Sequence, residues 1–287
     1  MSRVPIIILG MHRSGTSMLA RFLEEAGLFI GYKKETNSEA IFFRDINEWI
    51  LREANVSWDN PFNLEYLDIE FIEYIVHIIQ IRLNIFSYKF LGPRYIRYRC
   101  IHNLDIKWGW KDPRNSILWP IWRVIFPNAK FIHIVRNPLD VATSLQLRAK
   151  RARSRLGDSK ATVRDLYTAF RLVKSNYTDS IVTFDLTYDI KLWEFYINSI
   201  LKLEQELPKD SIVHIKYEDF LSDPYLYFKS ILNFCDIYIN EAKIKAIVSK
   251  VNQKRKFAFL KNEELKKLYH TIKTKPLIQK FNYHNLL

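Results

Sequence analysis

Near the N-terminus, Arg13-Ser14-Gly15-Thr16-Ser17 are the first residues whose types and spacing point to chemistry. They close the stretch Gly10-Met11-His12-Arg13-Ser14-Gly15-Thr16-Ser17, which fits the phosphate-loop pattern G-x-x-x-x-G-K-[ST] except that Thr16 stands in the lysine position. Glycines let backbone amides approach an anion closely, and hydroxyls at the start of the following helix add donors. The lysine that reaches the terminal phosphates in nucleoside triphosphatases is missing, which argues against ATP or GTP hydrolysis. Arg13 supplies a cation three residues earlier, and a guanidinium suits a planar, two-point hold on an anionic oxygen group.

A second anion-binding pattern follows at Arg136-Asn137-Pro138-Leu139-Asp140-Val141-Ala142-Thr143-Ser144. Arg136 ends a β-branched run, Lys130–Val135, that reads as a strand. Asn137 is placed to N-cap a helix whose first position is Pro138. Arg136 and Ser144 would then face one phosphate above the sheet edge. Two anion sites on neighbouring strand ends suit a nucleotide that carries phosphate groups at both ends.

The elements that must hold these loops form an alternating pattern. Val4–Leu9 is apolar without alternation, as expected of a strand buried on both faces of a parallel sheet. Ser17–Ala26 continues as a helix closed by Gly27. Helices are expected near Phe43–Ala54, at 71–86 as a buried helix, and over Ile117–Ile125, Val163–Tyr177, Tyr188–Glu206 and Tyr225–Cys235, with a further strand at Asp210–Lys216. The expectation is an α/β fold: a central, mostly parallel sheet flanked by helices, with ligands bound outside the carboxyl ends of the strands. The chain reads as one domain over 1–287, with a helical insertion at about 36–106 and a helical, basic tail at about 242–287.

Composition narrows the class. The 287 residues are 48% hydrophobic, with 7 Gly and no low-complexity tract, so a sizeable core is available. Cys100 and Cys235 lie far apart and form neither a disulfide framework nor a metal pair. No metal is expected. The short apolar N-terminus and the charges inside 71–86 predict neither a signal peptide nor a membrane span, and the expected location is cytoplasmic. The net charge of +13 suits nucleic acid, an anionic membrane surface or an anionic ligand. It is concentrated in part at 94–99, 148–155 and 254–257. No RNA-recognition or zinc-finger pattern is present, so no nucleic-acid partner is expected.

Together the two loops resemble those of the PAPS-dependent sulfotransferases, where [KR]-S-G-T-[ST] holds the 5′-phosphosulfate and a later Arg-x7-Ser holds the 3′-phosphate. The resemblance implies PAPS as sulfuryl donor. It implies that Arg13, Ser14, Gly15, Thr16, Ser17, Arg136 and Ser144 bind it. KWGWKDPR (107–114) resembles a K-D-P segment that places a lysine at the reacting sulfate, here Lys111. SEAIFFRDINEWIL (38–51) with SWDNP (57–61) resembles an acidic segment of bacterial members, and in that register Glu39 is the general base. Ser38 stands where the family has an aromatic residue, so Glu35 is the alternative base; His12 and His102 rank below both. VHIKYEDFLSDP (213–224) resembles the family's late strand and turn, which carries the likeness from about residue 5 to 235. The closest likeness is to bacterial carbohydrate and tyrosylprotein-type enzymes.

The implied reaction transfers a sulfuryl group to a hydroxyl or amine of a small-molecule or glycan acceptor, acidic or lipid-linked, with peripheral membrane contact as a further expectation. Arg13 and Lys111 would stabilise the transferred group, and Glu39 would take the acceptor's proton. Arg94, Arg97 and Arg99 are candidates to border the acceptor, and Lys254 and Arg255 to close over the 3′-phosphate. The competing expectations are a P-loop-type small-molecule kinase, a basic nucleic-acid-binding protein and a family member that binds PAPS without turnover.

Overall fold

The computed structural model describes residues 4–154, 170 and 180–287. Four strands, β1 (Ile6–Leu9), β2 (Gly109–Lys111), β3 (Lys130–Val135) and β4 (Ile212–Lys216), form one sheet in the order β2-β1-β3-β4. Every pairing is parallel. All four residues of β1 are buried, with Ile6 and Ile8 entering one core and Ile7 and Leu9 the other. The unbroken apolar run therefore reflects helices on both faces of the sheet.

Parallel pairing puts all four strand ends on one edge. Leu9 leads into the glycine loop, Lys111 into Asp112-Pro113, Val135 into Arg136, and Lys216 into Tyr217. Helix α1 (Thr16–Glu25) leaves the glycine loop and ends at Gly27, whose φ of +110° and amide bond to the Glu24 carbonyl (2.9 Å) close it. Helix Asn115–Ile125 follows β2, helix Pro138–Ser154 follows β3, and helix Leu186–Glu206 packs against both. The expected boundaries hold to within about two residues, and Pro138 is the first residue of its helix as expected. The Y-E-D turn is instead a short helix, Tyr217–Ser222. In the tail from residue 242, two short 3-10 helices, Gln253–Arg255 and Ala258–Lys261, lie between helices Glu241–Val248 and Glu263–Ile272. The helix expected at Val163–Tyr177 lies outside the described residues.

The region expected to be a helical insertion contains α2 (Ile41–Glu53), which meets β2 through Phe43, and α3 (Ile69–Ile85). Here aromatic packing dominates: the Phe43 ring stacks on Trp110 with centroids 4.0 Å apart, and Trp122 meets both edge-on. The expectation of a buried helix at 71–86 is corrected. Ile75, Val76, Ile79 and Leu83 face the core, while Tyr74, Ile81 and Ile85 are exposed. The helix lies at the outside of the molecule and packs one face against Asn115–Ile125. Its hydrophobicity on all sides therefore exceeds what the core uses.

Gly109 marks the tightest approach in the sheet. A Cβ there would sit 2.0 Å from the carbonyl oxygen of Ile6, its backbone partner. Neither strand can move away without breaking the pairing. Gly109→Ala is expected to destabilise the fold by about 3 kcal/mol, measured as a lowered urea midpoint at unchanged m-value; an unaltered midpoint would mean that β2 is loosely held.

Candidate active site

At the β1 end, Gly10 has φ +144° and a Cβ on it would lie 2.5 Å from the Ile134 carbonyl oxygen. Its amide donates to Ser116 Oγ at 2.9 Å. Gly15, at φ +102°, precedes α1, and a Cβ there would lie 2.5 Å from the Tyr217 ring. Both glycines are thus required by backbone conformation and by space. Arg13 is also left-handed, at φ +72°. Ser14 and Thr16 are buried, and Ser17 is half-buried.

The two anion patterns meet directly. Arg13 Nε donates to Ser144 Oγ at 2.8 Å, and Arg136 Nη1 donates to the Arg13 carbonyl oxygen at 3.1 Å. Arg136 Nη2 donates to the Arg255 carbonyl (3.2 Å) and lies 3.4 Å from Asp140 Oδ2, one helical turn on. Asp140 in turn accepts from the amides of Ala258 and Phe259, so the C-terminal segment is tied to the Arg136 helix. Tyr217 lies under the Arg136 guanidinium at 4.8 Å while it packs on Gly15. All of this is crowded with positive charge. Burial, and then Arg148, Arg136, Arg255 and Arg151, lower the Arg13 pKa. Ser14 Oγ, Thr143 Oγ1 and Arg136 Nε are buried without a hydrogen-bond partner. Donors and cations converge where an anion with several oxygens would satisfy them.

A second cluster stands at the β2 end. Lys111 Nζ donates to Glu39 Oε1 at 2.9 Å, and Arg114 Nη2 reaches Glu39 Oε2 at 3.4 Å. Arg114 also holds Asp112 (2.8 Å) and Glu48 (2.9 Å). Asn47 braces the floor: its amide donates to Asp112 Oδ2 and Asn115 Oδ1, and its carbonyl accepts from Trp122 Nε1, each at 2.9 Å. Burial raises the Glu39 pKa, and Asp112 adds to it; Lys111 and Arg114 pull the other way. Burial lowers the Lys111 pKa. Glu35 is turned outward, paired with Arg44. His12 lies against Trp58, with centroids 4.4 Å apart. Burial, followed by Arg148, Arg114, Lys111 and Arg13, holds its pKa well below the usual histidine range.

The structure therefore brings Arg13, Ser144 and Arg136 into one cluster, and Glu39 and Lys111 into another on the adjacent strand end. His102 is elsewhere, against Phe126 near the amino end of β3. Arg94 lies over Phe29, which bridges Trp108 at the amino end of β2, so the 94–99 run is at the opposite sheet edge from the loops. Arg255 does reach the Arg136 cluster, through its carbonyl oxygen. Sequence reasoning missed Arg114 as the group that joins Asp112 to Glu39, and Tyr217 as the ring shared by Gly15 and Arg136. The first stood in the quoted KWGWKDPR run; the second needed the strand order.

Residues 5–241 match a family model described as the sulfotransferase family. The chain belongs to that family. Solved sulfotransferase structures resemble it at low identity. The sulfotransferase domain from the curacin biosynthetic pathway is 16% identical over 94% of this chain and 92% of that one, with a TM-score of 0.47. The enzyme from Alicyclobacillus acidocaldarius is 15% identical over 89% and 99%, with a TM-score of 0.45. A mouse sulfotransferase complexed with PAP is 16% identical over 91% and 66%, with a TM-score of 0.42. No curated protein matches the chain. Among the described residues of this sulfotransferase, no group of His, Cys, Asp or Glu is arranged to hold a metal ion.

One buried carboxylate beside these clusters has no partner. Neither oxygen of Asp189, in the first turn of Leu186–Glu206, accepts a hydrogen bond. Burial, then Asp185, push its pKa up to about 7. The folded state binds this proton more tightly than the unfolded chain, so the associated stability is full at low pH and is lost as pH rises towards that value. Asp189→Asn removes the effect: its melting temperature is expected to exceed the wild type's at about pH 8 and to match it at about pH 4. A lower melting temperature than wild type at the alkaline value would mean that the ionised carboxylate is held by a partner.

Proposed function

We propose that this sulfotransferase transfers the sulfuryl group of PAPS to a hydroxyl of a carbohydrate or lipid-linked acceptor. The observation that carries the reading is the reciprocal contact between Arg13 and Ser144 and between Arg136 and the Arg13 carbonyl. It joins the two anion-binding patterns at neighbouring strand ends, as a nucleotide with phosphates at both ends requires. The unpartnered Ser14, Thr143 and Arg136 atoms fit such a ligand.

When bound, PAPS supplies the activated sulfuryl group. The chain's own residues bind, orient and move a proton. Arg13, Ser14, Gly15, Thr16 and Ser17 offer backbone and side-chain donors at the start of α1, whose dipole favours negative charge. Arg136 and Ser144 hold the 3′-phosphate, with the Arg255 segment folded against them. Glu39 takes the acceptor's proton at its carboxylate. Its raised pKa makes it a stronger base than an exposed glutamate, while Lys111 and Arg114 keep it oriented and ionised. Lys111, bonded to Glu39 at the end of β2, contributes positive charge to the transferred group. Its lowered pKa is compatible with that role, because the Glu39 carboxylate favours its charged form.

Thermal unfolding with adenosine 3′,5′-bisphosphate, PAPS, AMP and Mg-ATP tests the donor. At 100 times its dissociation constant a ligand adds roughly 2.7 kcal/mol, so a shift of several degrees is expected with the bisphosphate and PAPS but not with AMP. A shift with Mg-ATP alone would establish a kinase instead. Ser144→Ala and Arg136→Ala are each expected to weaken bisphosphate binding by about tenfold or more, read by calorimetry; unchanged affinity in both would remove the 3′-phosphate site.

Glu39→Gln should leave bisphosphate binding intact and lower turnover by about 10²–10⁴-fold. In the wild type, turnover should fall on the acid side as pH drops through the raised Glu39 pKa, with bisphosphate affinity unaffected over the same range. Normal turnover in Glu39→Gln would transfer the role of base to Glu35.

A further inference from the structure

Helix α3 and the turns that follow it expose apolar residues for which the fold has no use. Tyr74 is 57% exposed, Ile81 43% and Ile85 57%; with Ile78 they are spaced four, three and four residues apart, on the face opposite the buried Ile75, Ile79 and Leu83. The stripe continues past the helix end. Tyr88 packs on Tyr95 with centroids 6.0 Å apart, and Ile96 is 76% exposed. The 95–101 segment is fixed to the end of α3 rather than hanging from it. The Cys100 thiol donates to Asn84 Oδ1 at 3.5 Å, and the Ile101 amide donates to Ser87 Oγ at 3.0 Å. The apolar residues therefore belong to one continuous surface.

Cations outnumber acids along this surface. Between Glu73 and Asp105 the sequence has no acidic residue, while Arg82, Lys89, Arg94, Arg97 and Arg99 all fall inside that interval. The charged groups of Arg82 and Lys89 lie over the Phe86 ring, that of Arg94 over Phe29 and that of Arg99 over Tyr95, so cations and aromatic rings are stacked together along this surface. Asp105 is the acid at the border; it pairs with Arg97 at 2.9 Å and accepts from Tyr98. The acids Glu70 and Glu73 are confined to the first turns of α3, at the other end of the stripe.

We infer that this surface, from Tyr74 through Arg99, docks the protein on an anionic lipid bilayer. Exposed isoleucines interleaved with tyrosines and cations are what an interfacial helix needs: aliphatic groups for the acyl boundary, aromatic rings at the headgroups, and cations for lipid phosphates. Nucleic acid would use the cations but gain nothing from Ile81, Ile85 and Ile96. A protein partner of neutral character would leave the cations unmatched. No helix among the described residues is long and apolar enough to cross a membrane, so the contact is with the surface. Its Arg94 end lies away from the anion loops, because Arg94 and Phe29 are toward the amino end of β2 and the loops extend from the carboxyl ends.

Cosedimentation of the full chain with phosphatidylcholine vesicles, with and without about 30% phosphatidylglycerol, tests the inference. Binding is expected to the anionic vesicles and not to the neutral ones. Ile81→Glu/Ile85→Glu should reduce the partition coefficient by about tenfold or more. A control, Lys243→Glu/Lys245→Glu on the exposed side of Glu241–Val248, removes more positive charge from the molecule and should retain most of the binding. Unchanged melting temperature and unchanged bisphosphate shift in both variants establish that the fold and the donor site are intact; vesicle binding is read independently of whether the bisphosphate binds at all. The inference is overturned if the wild type does not sediment with anionic vesicles, if the control loses as much as the Ile81/Ile85 variant, or if light scattering shows that the surface joins two copies of the chain while vesicles stay unbound.

Discussion

Bringing the guanidinium groups of Arg13 and Arg136 onto one sheet edge costs Coulomb repulsion, and much of the architecture can be understood as what offsets it. The offsets are mostly not acids. Ser144 accepts from Arg13, the carbonyl oxygens of Arg13 and Arg255 accept from Arg136, and the face of Tyr217 lies beneath Arg136. Asp140 is the carboxylate partner, and it is shared with two backbone amides of the C-terminal segment. Full neutralisation by carboxylates would stabilise the fold further and would leave nothing for an anionic ligand to gain. Partial compensation by dipoles keeps the cations in place and their charge available.

The neighbouring strand end is arranged on the opposite plan. Lys111 and Arg114 are paired with Glu39, Asp112 and Glu48, and Asn47, itself held by Trp122, donates to the remaining Asp112 oxygen. Such a network is costly to break at any one member, because the remaining charge would be buried alone. That rigidity is what a proton-accepting carboxylate requires if its position is to be set before the acceptor arrives. The two clusters divide the labour in the proposed reaction: one is left electrostatically open to a ligand, the other is closed on itself except at Glu39, which retains a little exposure.

How much of this was legible in the sequence follows from how local each feature is. The glycine loop, Arg136 with its capped helix, and the strands beside them were readable because short-range rules determine them: the positive φ of Gly10 and Gly15, Pro138 at a helix start, and unbroken apolar runs. Glu39 was reached through a resemblance in register, and its contact with Lys111 spans 72 residues of sequence that no local rule connects. Tyr217 beneath Arg136 depends on β4 lying beside β3, which is a property of strand order. The hydrophobicity of 71–86 was read correctly as helical and wrongly as buried, since a segment apolar on all sides gives no sign of which face is covered.

That last misreading has a physical consequence. A helix whose exposed face is apolar weakens solubility unless something covers it or charge keeps copies apart, and here cations are distributed along the same surface. The parallel sheet sets the Arg94 end of that surface apart from the candidate site: Arg94 lies over Phe29 at the amino end of β2, and Arg13 and Arg136 follow the carboxyl ends of β1 and β3. Two groups of the protein's cations therefore have different neighbours. Around Arg13 the cations line buried polar atoms, which favours a small, highly charged ligand. Around Arg97 they alternate with isoleucine and tyrosine at an open surface, which favours a broad, layered one. The same residue type does two kinds of work because the groups interleaved with it differ.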